Sequence, residues 1–270
     1  MVEYAEDDFS ETSIYYRLGP GMPADNDDLV PPVYFLNRDI SREPIDLEYI
    51  KKGANLPIVI SFGGSGLDPD TGESRYAMQK FLKDSRVSQI SVRDQYTCWF
   101  HNGIRGVSTD VMSTVDRLKE LIADSGSKRV LCTGSSAGAY AAILFGTLLN
   151  ATGVIALCPQ TLLKRGIKCQ AHGYLYLLKW ADGQGTKQQY ADLLDLPESE
   201  VPIELVYGTD DFVDVFHAER MQSLNNVHLV PVAGNHGTAI LATRNSGLLS
   251  RLFSDALNES TGDLIWKVPN

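Results

Sequence analysis

The chain has few cysteines, no long apolar run and no concentration of positive charge, and each shortage removes a class of protein. Its four cysteines, Cys98, Cys132, Cys158 and Cys169, include no C-x-x-C pair. Neither a disulfide framework nor a zinc site is expected, and Cys132 and Cys158 fall in strand-like runs where free core thiols belong. No stretch approaches the roughly 18 to 20 apolar residues that cross a bilayer, so no membrane insertion is expected. Met1 to Asp8 carries neither the basic nor the apolar segment of a secretory signal, which predicts a cytoplasmic protein. Lys and Arg total 24 against 34 Asp and Glu, a net charge of −10. Without a basic patch to offset it, that balance repels phosphate backbones, and nucleic acid is not an expected partner. Acidic stretches such as Glu3 to Glu11 and Asp25 to Asp28 serve solubility instead. Internal repeats and low-complexity segments are missing as well.

What is there reads as a single α/β domain spanning 1–270, with 43% apolar residues to fill a core. Two β-type runs, Ser13 to Leu18 and Val33 to Arg38, are expected as edge strands. From Pro57 onward strands alternate with helices. The strands are Ile58 to Phe62, Gln89 to Val92, Arg129 to Thr133, Val154 to Leu157, Ile203 to Tyr207 and Val227 to Val232. Between them lie helices over Ser74 to Leu82, Thr109 to Ala123 and Ala137 to Leu149, with a last one after Gly234 running to Leu257. This alternation predicts a mostly parallel central sheet with helices on both faces. Val111, Val115, Leu118 and Ile122 make one stripe, so their helix lies on the surface; the helix after Ser136 is apolar nearly all round and belongs inside. The gap from Leu157 to Ile203 is too long for a plain connection, and residues 161–201 are expected to form a small lid. The competing reading is a decorated crossover helix remote from the site.

Gly134-Ser135-Ser136-Ala137-Gly138, set between a strand and an apolar helix, reads as a nucleophile elbow that holds the Ser136 hydroxyl out at the top of the sheet. Acyl transfer by serine also needs a base, an acid to orient it and N–H donors for the oxyanion. His236, after the final strand and between Gly234 and Gly237, is the candidate base. The loop Gly208-Thr209-Asp210-Asp211-Phe212-Val213-Asp214 offers three acids, with Asp211 the first choice, Asp214 the alternative and Asp210 solvated. Gly64, in the loop after the first strand of the alternating set, and Ala137 are the candidate oxyanion donors. Ser65 in the same loop and Trp99 in the segment Arg93 to Arg105 are the candidate substrate-binding residues, Trp99 by stacking. Burial of Trp99 as a core cover is the alternative. Gly63-Gly64-Ser65-Gly66 lacks the Lys-Ser/Thr ending of a P-loop and the dinucleotide spacing, so no nucleotide cofactor is expected. His101, His217, His228 and His236 show no ligand spacing, and no metal is expected.

The strand-Gly-Gly loop, the Gly-Ser-Ser-Ala-Gly elbow and the late Gly-Asn-His resemble the α/β-hydrolase superfamily, in order, over Pro57 to Leu252. That resemblance implies an eight-stranded, mostly parallel sheet and a triad of Ser136, His236 and Asp211 or Asp214. Val92-Arg93-Asp94, Trp99 to Gly103, Gly134 to Ala142 and Pro159-Gln160-Thr161 are more narrowly similar to hydrolase-like proteins associated with bacterial polysaccharide biosynthesis. The implied function is a serine hydrolase that cleaves an acyl ester or thioester, on a small-molecule or carbohydrate-linked substrate. Acyltransferase and biosynthetic thioesterase are the enzymatic alternatives, and a non-catalytic ligand-binding protein on the same fold is the alternative of another class. Self-association into a homo-oligomer is left open.

Overall fold

The computed structural model describes residues 44–64, 76–95, 98–163 and 189–257. In chain order these form β1 (Leu47–Ile50), β2 (Ile58–Phe62), α1 (Gln79–Leu82), β3 (Ser88–Val92), α2 (Val111–Ser125), β4 (Val130–Ser135) and α3 (Ala137–Leu148). They are followed by β5 (Gly153–Leu157), β6 (Ile203–Gly208), α4 (Phe212–Glu219), β7 (Val227–Val232), α5 (His236–Asn245) and α6 (Leu248–Leu257).

The seven strands pair in the order β1-β3-β2-β4-β5-β6-β7, and every pair is parallel except β1 with β3. After β3 the chain crosses back over β2 to lay down β4, and from there it proceeds one strand at a time toward β7. The direction of winding therefore reverses between β2 and β4. At such a reversal an open α/β sheet commonly binds its ligands beyond the carboxyl ends of the strands, among the loops that leave them. Here those loops carry Gly63-Gly64 and Ser136.

Alternation along the strands divides the core. Ile58, Ile60 and Phe62 of β2 point to one face with Cys132, Val154, Ala156 and Leu205; Val59 points to the other with Leu131, Ile155, Leu157 and Val206. Residues of α2 and α3 cover the first face, and Leu249, Leu252, Phe253 and Leu257 of α6 cover the second. Phe62 stacks on Phe145 with centroids 5.3 Å apart and meets Phe100 edge-on at 5.4 Å. Burial of one such side chain contributes about 1.5–3 kcal/mol. The first face thus fastens α3, and with it the elbow, to the middle of the sheet. α2 begins at a capping box of Asp110 and Ser113 and stops at Gly126, whose φ is 71°.

Several boundaries differ from the sequence reading. The described strand ahead of β2 is β1, over residues not expected as a strand, whereas Ser13 to Leu18 and Val33 to Arg38 lie outside the described residues. Only Gln79–Leu82 of the expected Ser74 to Leu82 is helical among the described residues. The last helix is two, because Gly247 at φ 79° breaks it after Ser246. Of the expected lid, 164–188 lie outside the described residues. Its two limbs do meet: Leu162 bridges Asp192, Leu163 N–H donates to the Ala191 carbonyl at 2.8 Å, and Arg220 grips the Asp192 carboxylate at 2.7 and 2.8 Å. Among the described residues no helix is long and apolar enough to cross a membrane.

Candidate active site

Ser136 links β4 to α3 with φ 57° and ψ −124°, a backbone that an L-residue adopts only when its surroundings insist. Its N–H donates to the Leu157 carbonyl at 2.9 Å, and its carbonyl accepts from Ala139 and Tyr140 at 2.9 and 3.1 Å. The two elbow glycines are required by space. A Cβ on Gly134 would stand 2.2 Å from the Gly138 carbonyl oxygen, and one on Gly138 would stand 2.2 Å from that of Phe62. Ala137 opens α3, so its N–H belongs to the unsatisfied, positive end of the helix. Gly64 lies alongside: a Cβ built on it would be 3.9 Å from that of Ser136.

His236 is the first residue of α5, whose N-cap Asn235 accepts from Thr238 N–H. Its Nδ1 is 2.7 Å from Oδ1 of Asp214, a side chain only 3% exposed. The other oxygen of Asp214 accepts from Gly208 N–H at 3.3 Å. This corrects the first choice of acid. Asp211 is the N-cap of α4, its carboxylate folded back onto the N–H groups of Val213 and Asp214 at 3.0 and 3.4 Å, and it makes no described contact with His236. Three residues on, Asp214 is nearly one helical turn further and faces the imidazole. Asp210 is exposed, as expected.

Cys158, at the tip of β5 with φ 53°, completes this corner: its Sγ, a carboxylate oxygen of Asp214 and a ring nitrogen of His236 lie within 4.8 Å of one another. Burial, and then the Asp214 carboxylate to which it donates, push the thiol's pKa well up. Protonated, the thiol donates to the Asp214 carboxylate. Because Ser136 bonds to Leu157 and Cys158 is the next residue, the serine and the His–Asp pair occupy the same carboxyl rim of the sheet.

The segment after β3 is built around two acids. Asp46, fully buried, accepts from Arg93 at 2.7 Å and from Arg105 at 2.7 and 2.9 Å. Asp94 accepts from the N–H groups of Cys98 and Phe100 at 2.7 and 3.0 Å, and between them Trp99 and Phe100 have positive φ of 53° and 63°. Trp99 is 2% exposed, which leaves no ring face for the stacking expected of it. Its indole N–H donates instead to Oε1 of Gln160 at 3.2 Å, and Nε2 of Gln160 donates to Ser136 Oγ at 3.2 Å. Ser65 lies outside the described residues.

His101 Nε2 is 2.8 Å from the Tyr140 hydroxyl, which itself donates to the Tyr190 carbonyl, so the histidine proton sits on Nε2. Burial lowers its pKa to about 4. His217 is likewise neutral, lowered to about 4 by burial and then by Arg220; its Nδ1 accepts from Thr161 N–H at 3.1 Å. Cys158, Gln160 and His217 were given no role by sequence reasoning. The signal for Gln160 was its place three residues past a buried strand, on the rim where α/β sheets do chemistry.

A mostly parallel sheet with one antiparallel edge, a strained serine between strand and helix beside the winding reversal, and a histidine after the last strand define the α/β-hydrolase fold, and this chain has it. Similar solved structures include the capsule O-acetyltransferase of Neisseria meningitidis serogroup A. It is 18% identical with a TM-score of 0.59, over 79% of this chain and 92% of that one. The glycosylation-associated Gap123 complex of Streptococcus agalactiae matches at 14% identity and a TM-score of 0.53, over 79% of this chain and 46% of that one. Dipeptidyl peptidase 4 of Porphyromonas gingivalis matches at 12% and 0.53, over 80% and 36%. No protein-family model matches the chain, and no curated protein matches it in sequence.

Proposed function

We propose that the protein is a serine acyl-transfer enzyme that cleaves an acyl ester through Ser136, His236 and Asp214. The observation that carries this reading is the 2.7 Å bond between His236 Nδ1 and buried Asp214, on the rim that also holds the strained Ser136. Asp214 accepts a hydrogen bond from Nδ1–H, which puts the imidazole lone pair on Nε2, the nitrogen that acts as base. In the first half-reaction Nε2 takes the Ser136 proton as Oγ bonds to the acyl carbon. The N–H groups of Gly64 and Ala137 hold the oxyanion, and the leaving oxygen departs with the proton. In the second, an acceptor hydroxyl repeats the sequence and Ser136 is restored.

Water as acceptor makes the enzyme an esterase; a thioester donor would follow the same steps. A sugar hydroxyl as acceptor makes it an O-acyltransferase, and the likeness to a capsule O-acetyltransferase over most of both chains favours testing carbohydrate acceptors first. The test is fluorophosphonate labelling, followed by turnover of p-nitrophenyl acetate with and without acceptor sugars. Labelling that disappears in Ser136→Ala and weakens in His236→Ala is expected. A folded protein that takes no label favours a non-catalytic binder.

A further inference from the structure

We infer that Gln160 is a further catalytic residue of this acyl transfer, its carboxamide held in one orientation by the Trp99 indole so that it donates to Ser136 Oγ and directs the serine proton toward the imidazole. The inference rests on the acyl-transfer reading and adds a residue to it.

Donor and acceptor chemistry decides the orientation. An indole nitrogen only donates, so the Gln160 atom 3.2 Å from Trp99 Nε1 has to be the amide oxygen. The NH2 group therefore faces Ser136 Oγ at 3.2 Å, and since that group only donates, Oγ accepts. A hydroxyl has one proton and two lone pairs. With one lone pair engaged by Gln160, the O–H is turned away from the carboxamide, leaving its proton for the base. As Oγ bonds to the acyl carbon and its proton passes to Nε2, negative charge moves through Oγ. When the acyl-enzyme breaks down, the electron pair of the C–Oγ bond returns to Oγ, which recovers the proton from the imidazolium. The Gln160 N–H faces that charge in both halves, and a donor to a charged oxygen is stronger than one to a neutral oxygen.

The surroundings are built to hold the amide. Trp99 is 2% exposed and has to find a partner for its N–H within the protein. Its backbone is kept at φ 53° by the Asp94 carboxylate, which gathers the flanking N–H groups of Cys98 and Phe100. Strain of this kind persists only where neighbours over-determine it. On the other side, Gln160 follows Cys158, whose N–H is tied to the Val206 carbonyl at 2.7 Å.

The experiment measures the fluorophosphonate labelling rate across pH, with a thermal midpoint for each variant. Gln160→Met removes the donor and is expected to slow labelling about 10- to 100-fold. Gln160→Glu is expected to be slower still near neutrality, because an ionised carboxylate accepts the serine proton in competition with His236. Its rate profile should gain an acidic limb that wild type lacks, which packing alone would not produce. Trp99→Phe frees the amide to turn and is expected to cost about 3- to 10-fold; it tests the same idea if a Gln160 variant folds poorly. Labelling of folded Gln160→Met and Gln160→Glu within about twofold of wild type, with wild-type pH profiles, overturns this inference and leaves the acyl-transfer reading standing. Folded wild type that takes no label at all overturns both.

Discussion

Ser136 at φ 57° stores strain of about 1–3 kcal/mol, and its bond to the Leu157 carbonyl and those it accepts from Ala139 and Tyr140 hold it there. Gly138 is what lets that conformation exist, since a Cβ on it would stand 2.2 Å from the Phe62 carbonyl oxygen. Gly138→Ala is expected to destabilise the fold by at least about 3 kcal/mol, read as a drop in the urea midpoint. The two aspartates of α4 separate by role. Asp214→Asn replaces the carboxylate with an amide whose oxygen the Gly208 N–H claims and whose NH2 then faces His236 in the wrong tautomer; it is expected to lower kcat/KM about a thousand- to ten-thousand-fold with little change in melting. Asp211→Ala removes a helix cap and is expected to cost about 1 kcal/mol of stability while activity persists. Their order was illegible in the sequence because both acids lie within the first turn of one helix. Cap geometry, a matter of where α4 begins, turned one inward and the other back on its own backbone.

At the scale of elements, the segment from Arg93 to Arg105 does more than connect β3 to α2. Asp46, just before β1, binds both of its arginines, so the edge of the sheet holds the segment that holds Trp99. Asp46→Ala takes a fully buried carboxylate away from both Arg93 and Arg105 and is expected to destabilise the fold, by up to about 3 kcal/mol. Labelling of Ser136 should slow in the same variant as Trp99 loosens. The sequence offered Trp99 as a core cover, yet Asp46, which binds Arg93, lies 47 residues from it in the chain, and no local pattern joins them. The break between α5 and α6 was missed by the sequence reading, although Gly247 after a helical run is a local stop signal.

Across the whole molecule, two neutral histidines make stability depend on acidity. His101 and His217 titrate near 6.5 when unfolded and near 4 when folded. Between those values the unfolded chain binds protons that the folded chain refuses, so stability is lost as pH falls from 6.5 toward 4. The slope is up to about 1.4 kcal/mol per pH unit for each fully buried group. His101 is partly exposed and contributes less. Thermal midpoints at pH 6.5, 5.5 and 4.5 should fall steadily, and His217→Gln, which keeps an acceptor for Thr161 N–H, should flatten that fall.

Legibility in the sequence followed the range of the interaction. The elbow, the alternation of strand and helix, the apolar helix behind Ser136 and the late histidine were readable because glycine requirements, hydrophobic periods and turn signals are set by neighbouring residues. They determined an α/β sheet with a serine on its rim. Tertiary structure alone decided that Asp214 rather than Asp211 reaches His236, that Trp99 is buried rather than open to stacking, and that Gln160 stands between Trp99 and Ser136. Those partners are 22, 61 and 24 residues apart. They meet only because strand order and register bring separate loops to one edge, and that arrangement is a property of the packed sheet rather than of any segment within it.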